Sequence, residues 1–560
     1  MTGTICSLTR SATSTASMSE SAEIQRQARA AEIKRQPADI EEQPVDVNPR
    51  VQMSRLRRVV VFMSLTLTML LASLDLTIVT TTIPKIAVEF HALSDATWIS
   101  TSYMLTTTAL QPLYGKLSDI FGRVPTLLTA IAMFAAGSAT CGWAPSMGVL
   151  VFGRALQGVG GAGLLSLVFI VISDLTTEAE RPAYLGVLGA VWSVASVIGP
   201  VLGGVFSDRA SWRWAFWINL PIAGPAAIAI VLFLRLPHPQ GSLRDKLRRV
   251  DFLGSAVLIG GVVMLLLGLT WGGKTYAWGS ARIVCLLVFG VVLLGAFIVV
   301  EWKLAVAPTV PVHLFRNRNV ALCVLNQFFM GVGMYATMFF IPIWYTIVKN
   351  ASAISSGLHL LPFLLSLSLV SVAAGFLVSK TGLYRPFVIF GAALFVVGAG
   401  LLVLFNENVS FAKQVAFLFL MGFGLGLDIQ ILLIAVQTAA PVVDMASATT
   451  LYLFMRVLGS SIGIAILQSV LQNAVIPKLD LLATKYPEYA QTFTDSLNDQ
   501  SIIYKSGLPD DVRDQLIHGY VLALQKVFIA TVPFAAVAFL LVVGLKHIPI
   551  RKNIKPGIAE

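Results

Sequence analysis

The chain has 560 residues, 56% of them hydrophobic and 12% charged, with a formal net charge of +11. Soluble globular chains carry about 25% charged residues, so this composition excludes an ordinary soluble domain. The positive balance does not point to nucleic acid, because the lysines and arginines collect in short segments beside long apolar runs rather than along a soluble face.

Residues 1–50 are rich in Ser, Thr, Gln, Glu and Arg and poor in large apolar side chains, which predicts a disordered cytoplasmic tail. With no apolar stretch there, the first spanning helix is expected to act as the targeting signal. Apolar runs follow near 59–83, 97–114, 125–143, 147–173, 183–206, 213–235, 251–271, 282–302, 319–346, 354–377, 386–405, 412–436, 446–472 and 520–545. A helix needs about 20 mainly apolar residues to cross a bilayer, and with no water in hydrocarbon the backbone must bond within helices or a closed barrel. Barrel strands would alternate in polarity over about ten residues, and these runs do not. The expected fold is therefore an all-α polytopic membrane protein with fourteen transmembrane helices.

Basic residues such as Arg244, Lys246, Arg248 and Arg249 in the 236–250 segment place alternate loops and both termini inside. Two Asn-x-Ser/Thr sequons, at Asn350 and Asn408, then fall in outer loops and are possible glycosylation sites. The polar segment 473–519 reads as a long outer loop. Cys6, Cys141, Cys285 and Cys323 lack metal-ligand spacing and read as small packing residues.

Two segments share one pattern 260 residues apart, Gly115-Lys-Leu-Ser-Asp119-Ile-Phe-Gly122-Arg123 and Gly375-Phe-Leu-Val-Ser379-Lys-Thr-Gly382. Each reads as a loop after an even-numbered helix, with Asp119 or Ser379 placed to cap the next one. The repeat implies two similar halves. The expected organisation is a tail over 1–58, a six-helix half over 59–235, an inserted helix pair with its flanking loops over 236–318, a second half over 319–545, and a tail over 546–560. Two such halves with a site between them suit alternating access.

At these motifs the chain resembles the major facilitator superfamily, specifically its fourteen-spanner drug–proton antiporters of fungal type. The resemblance rests on Leu74-Asp75-Leu-Thr77 with Pro84 in the first helix, on Gly115 to Arg123, and on Arg154-Ala-Leu-Gln157-Gly158-Val-Gly160-Gly161 in the fourth helix. Gly199-Pro200-Val-Leu-Gly203-Gly204 in the fifth helix and Trp212-Arg213-Trp214…Asn219-Leu-Pro221 complete it. Val124 departs from the pattern, standing where the family prefers a basic residue. The resemblance implies proton coupling through Arg154 and a fifth-helix antiporter motif associated with export.

Four ionisable residues inside predicted helices stand out: Asp75, Arg154, Asp428 and Arg456. Such groups cost about 2.5–3.5 kcal/mol each on insertion scales and are candidates for function. Counting about 1.5 Å per residue from the cytoplasmic ends puts Asp75 and Arg154 at roughly 24 and 28 Å, and Asp428 and Arg456 at roughly 12 and 15 Å. Depth alone thus predicts one acid–base pair in each half. Asp75 and Arg154 are expected to respond to a coupling proton, and Asp119 and Arg123 to latch the cytoplasmic mouth against the other half. Thr107, Gln111, Asn326, Gln327, Tyr335, Asp428, Gln437 and Arg456 are candidates to line a substrate cavity.

No phosphate-binding Gly-rich loop, His-Glu-x-x-His site or nucleophile elbow is present in the sequence, so neither an ATP-driven pump nor an enzyme is indicated. The expected function is export of drugs, toxins or other amphipathic organic compounds by a monomer in the plasma membrane. It would use a proton gradient and no cofactor, with small molecules, protons and lipid as its partners and no nucleic acid. Vacuolar transport of basic amino acids is the first alternative, siderophore transport the next, and a non-transporting membrane sensor the rival from another class.

Overall fold

A computed structural model describes residues 54–548 apart from 93–94, 238, 274, 306 and 498–499, without the side chains of 353 and 354. The predicted tails, up to residue 53 and from residue 549, lie outside the described residues. The long helices of the first part are α1 (Arg55–Ile78), α2 (Trp98–Phe121), α3 (Arg123–Gly142), α4 (Met147–Leu175), α5 (Arg181–Arg209) and α6 (Asn219–Phe233). Then come α7 (Phe252–Trp271), α8 (Ala281–Lys303), α9 (Arg318–Lys349) and α10 (Leu361–Thr381). The last four are α11 (Arg385–Leu402), α12 (Phe411–Ala439), α13 (Met445–Lys485) and α14 (Asp510–Val543).

Among the described residues thirteen helices are long and apolar enough to cross a membrane. The fourteenth, α2, has spanning length at 24 residues but carries Ser, Thr, Tyr and Gln. Those groups are met inside the bundle: Thr107 Oγ1 donates to the Gly158 carbonyl at 3.1 Å and Tyr114 Oη to the Val159 carbonyl at 2.8 Å. The helix starts use local chemistry. Ser54, Asp251, Ser280 and Asn317 each accept a backbone N–H of the first turn of α1, α7, α8 and α9, and α5, α10 and α11 carry Pro in their first turns.

The ends of several helices differ from the hydropathy reading. Residues 115–121 are the last turns of α2 rather than a loop, and only Gly122, at φ +101°, separates α2 from α3. Gly382, at φ +74°, ends α10 in the same way. Glycine is required at both because L side chains are disfavoured there. Neither Asp119 nor Ser379 caps a helix. Asp119 accepts from Arg123, and Ser379 Oγ donates to the Ala179 carbonyl.

The segment 473–519 is also largely helical. α13 runs 41 residues to Lys485, about 62 Å, roughly twice the hydrocarbon thickness. Beyond the membrane its end and the start of α14 pack with two short helices, Ala490–Asp495 and Ile502–Lys505, around buried Phe493, Ile503, Val512 and Leu516. Ser496 and Tyr520 share a 2.8 Å hydrogen bond, and Tyr504 Oη donates to the Ile347 carbonyl at 2.7 Å. Hydropathy averaging misses this small core because its apolar residues are spaced along amphipathic turns. Asn350 and Asn408 are exposed, while of the cysteines read as packing residues Cys141 and Cys323 are buried and Cys285 is exposed.

Helices α1–α6 pack on one another, as do α9–α14, and the sets join chiefly through two pairs, α5 with α10 and α2 with α13, with smaller contacts of α5 with α12 and α4 with α13. α7 leans on α2 and α13, whereas α8 packs chiefly on α7 and leaves Val288, Phe289, Val291, Val292 and Ile298 exposed. The two repeat glycines sit at these joining pairs. A Cβ on Gly115 would lie 2.6 Å from Thr450 Oγ1 and 3.0 Å from the Ala446 carbonyl of α13, and one on Gly375 would strike the Pro182 carbonyl of α5. Bare backbone lets the helices approach closely.

A topology with both termini inside puts Ser242 and Glu488, both exposed, on opposite faces. Single cysteines at these positions, in a chain lacking Cys6 and Cys285, should react with an impermeant maleimide from opposite sides of sealed vesicles. Labelling of both from one side would contradict the fourteen-helix arrangement.

Candidate functional site

The Gly-rich start of α4 brings its neighbours close. A Cβ on Gly160 would collide with the Phe134 backbone of α3, and one on Gly161 would collide with the Tyr103 hydroxyl of α2. Arg154 and Gln157, three residues apart, share one face of α4 and reach α1 together. Arg154 Nη1 donates to Asp75 Oδ2 at 2.6 Å and to Gln157 Oε1 at 2.6 Å, and Arg154 Nε donates to the Ile99 carbonyl at 3.0 Å. The other carboxylate oxygen, Asp75 Oδ1, accepts from Gln157 Nε2 at 2.6 Å and from Asn219 Nδ2 at 3.0 Å. Ser138 Oγ accepts from both amides, at 2.8 and 3.2 Å. The Tyr103 ring stacks 4.4 Å from the guanidinium carbon.

All five side chains of this network are buried, Asp75 and Arg154 at 0% and 2% exposure. A buried ion pair is tolerated when its remaining lone pairs and protons are satisfied, and here α1, α2, α3, α4 and α6 all contribute partners. The structure thus brings Asp75 and Arg154 together, as their matching depths predict. Gln157, Ser138 and Asn219 were not among the predicted site residues. Gln157 and Asn219 do lie inside the recognised motifs, and the three-residue spacing from Arg154 was the signal for Gln157.

The second predicted pair does not form. Both Asp428 oxygens are buried without a hydrogen-bond partner, and the carboxylate faces α11, where a Cβ on Gly391 would lie 3.4 Å away. Arg456 instead lines a cavity of about 40 Å³ at the junction of the two helix sets. Met69 of α1, Phe169 of α4, Gly189 and Trp192 of α5, Tyr335 of α9, Leu367 of α10 and Gln430 of α12 also border it. Depth counting ignores helix rotation, and rotation turns these two residues apart.

Of the residues predicted to line a cavity, only Tyr335 and Arg456 border this one. Thr107 is bonded to α4, Asn326 Nδ2 donates to the Ala538 carbonyl at 2.8 Å, and Gln437 Nε2 donates to Thr449 Oγ1 at 3.1 Å. Gln111 and Gln327 are buried, each with an unpartnered side-chain oxygen. Trp192 and Gln430 went unpredicted because an aromatic or amide on an apolar helix carries no sign of which way it faces.

The Asp119–Arg123 prediction needs a similar correction. Arg123 donates to Asp119 at 2.5 Å, to Ser118 at 2.6 Å and to Asp174, at the end of α4, at 2.8 Å. All three partners belong to the first six helices, so this cluster secures the α2–α3 turn to α4 instead of bridging to the other set. At the opposite end Glu89 accepts from Trp212 Nε1 at 2.5 Å and Arg213 Nη1 at 2.8 Å. Burial opposes the Glu89 charge, but these two donors outweigh it and hold the carboxyl below its usual range.

In α5, a Cβ on Gly199 would meet Thr77 and one on Gly203 would meet the Ile78 carbonyl and Thr81, so both glycines lie flush against α1. Thr77 Oγ1 donates to the Ala195 carbonyl at 3.1 Å and Thr81 Oγ1 to the Pro200 carbonyl at 3.4 Å, and Gly204 is buried.

An all-helical bundle of two six-helix sets with a cavity at their junction has the architecture of a membrane transporter. The Major Facilitator Superfamily profile matches residues 65–464, and the chain belongs to that superfamily. It is 36% identical to the efflux pump dotC of Dothistroma septosporum, over 85% of this chain and 82% of that one. It is 33% identical to the efflux pump aflT of Aspergillus parasiticus, over 89% and 97%. The human organic anion transporter MFSD10 shares the fold with a TM-score of 0.58 at 16% identity, covering 87% of this chain and all of that one. The chain is accordingly a multi-pass membrane transporter of small molecules and not an enzyme.

Removing either charge of the Asp75–Arg154 pair leaves the other buried and unpaired, at a cost of ~3–5 kcal/mol. Asp75→Asn and Arg154→Gln should each lower thermal stability and membrane abundance, and the double variant should lose clearly less than the sum. Additive losses would show that the two are not energetic partners. Gly203→Leu should abolish transport with protein still at the membrane, because a side chain there forces α1 and α5 apart; normal transport by this variant would remove the need for close packing.

Proposed function

We propose that the chain exports amphipathic organic compounds in exchange for protons by alternating access, acting as a monomer in the plasma membrane. The observation that carries export is the similarity to two proteins named efflux pumps, each across more than four fifths of this chain. Two six-helix halves, over 59–235 and 319–545, would rock about the cavity, with the α7–α8 pair as an outer attachment. The glycine contacts of α2 with α13 and of α5 with α10 are smooth enough to part and re-form.

Asp75 is the proton carrier in this reading. Its carboxylate accepts hydrogen bonds from Arg154, Gln157 and Asn219, three donors on two other helices. A shift of α1 against α4 and α6 would part the carboxylate from those donors and leave it open to a proton from the outer side. The Gly199–Gly203 face of α5 gives α1 a surface to move along, and the Asp119–Arg123–Asp174 cluster holds the inner turn during that movement. One proton crossing 100 mV and one pH unit releases roughly 3.7 kcal/mol, enough for a concentration ratio of roughly 500.

Transport of basic amino acids would call for a carboxylate on the cavity wall. Asp75 is sealed by its own partners and Asp428 faces α11, while the charged residue at the cavity is Arg456.

Purified protein in sealed vesicles with an acidic lumen should concentrate an amphipathic fluorescent dye, and a protonophore should abolish the accumulation. Asp75→Asn should lose uphill movement while retaining downhill exchange. Accumulation that persists after the protonophore would rule out proton drive.

A further inference from the structure

Arg456 borders the cavity with no anionic partner among the described residues, and we infer that the exported compound is an organic anion. It would be a planar aromatic molecule whose carboxylate, or an equally acidic oxygen, pairs with Arg456 while its rings lie against Trp192, Phe169 and Tyr335. This inference rests on the export reading and names its substrate class.

Arg456 differs from the other intramembrane arginine in what surrounds it. Arg154 has a carboxylate, an amide, a carbonyl and an aromatic face. Among the described residues the Arg456 side chain has no hydrogen-bond partner, no carboxylate within ion-pair distance and no ring beneath its guanidinium. The acids on the helices that wall the cavity are all committed or turned away. Asp75 binds Arg154, Asp174 binds Arg123, Asp208 pairs with Lys85, Asp428 faces α11, and Asp480 lies near the far end of α13. Tyr335 and Tyr452 are the other titratable groups near Arg456.

A guanidinium has five donors and cannot shed its proton, so in a low-dielectric cavity it calls for an anion. The site also has the remaining features of an aromatic acid's binding place. The aromatic side chains of Phe169, Trp192 and Tyr335 border the same cavity, the Gln430 amide supplies a neutral donor and acceptor, and Met69 and Met334 are adaptable packing residues. At about 40 Å³ the cavity must widen several-fold to admit a compound of drug size.

The test uses two probes with one ring system, 9-anthracenecarboxylate and 9-anthracenemethanol, binding at equilibrium to the full chain in lipid nanodiscs, with empty discs subtracted. Wild type should bind the acid about tenfold or more tightly than the alcohol. Arg456→Gln should bring the ratio to about one, and Arg456→Lys, which keeps the charge without the planar fork, should give an intermediate ratio. Equal affinities in wild type, or an undiminished ratio in Arg456→Gln, would overturn the inference. Should the glutamine variant fail to fold, Arg456→Met, of similar length and without charge, takes its place, and an undiminished ratio in that variant would overturn the inference in the same way.

No gradient is present in that assay, so the two readings fail separately. Vesicles that accumulate no probe, alongside an Arg456-dependent preference in nanodiscs, would remove export and keep the anion site. Vesicles that concentrate the alcohol as well as the acid would keep export and remove the anion site.

Discussion

Hydrocarbon offers no hydrogen bonds, so every polar group in the middle of this protein must find its partner within the protein or in a ligand. The backbone meets the demand by becoming helix. The side chains meet it unevenly. Asp75 and Arg154 are enclosed by amides, a hydroxyl, a carbonyl and an aromatic face drawn from five helices, which makes the first six helices a single cross-linked block. Arg456 has no such enclosure, and it is the one that borders the space between the helix sets.

Contacts between the sets are of another kind. Within the first set, charge and amide bonds bind the helices. Between the sets, Gly115 meets Ala446 and Thr450, Gly186 and Gly189 meet Ser371, and Gly375 meets Pro182. Small residues give close packing at little cost in specific bonds, and such a seam separates more readily than one held by buried ion pairs. The division suits a machine whose blocks stay intact while the seam between them opens.

α1 links the two chemistries. Met69 borders the cavity, Asp75 lies six residues, or about 9 Å, further along the same helix, and Thr77, Ile78 and Thr81 rest on the glycine face of α5. In the proposed antiport, proton and substrate therefore need not compete for one group. A displacement of α1 changes the donors around Asp75, the wall of the cavity and the α5 contact together, which gives coupling a physical route.

Much of this was legible in the amino-acid sequence. The apolar runs specify helices because a bilayer leaves the backbone no other choice, and charges inside such runs are so costly that Asp75 and Arg154 identify themselves. The repeat glycines mark positions where a side chain is forbidden, although the sequence alone does not say whether the reason is a positive φ, as at Gly122 and Gly382, or a neighbouring helix, as at Gly115 and Gly375. Facing is what only the tertiary structure decided. Depth along a helix is a one-dimensional quantity, so it matched Asp428 with Arg456, while rotation about the helix axes turned one toward α11 and the other toward the cavity. The same reason separates Arg123 from the opposite set and folds 473–519 into helix ends and a packed cap. Periodicity reports that a face exists, and only the packing of fourteen helices determines what that face meets.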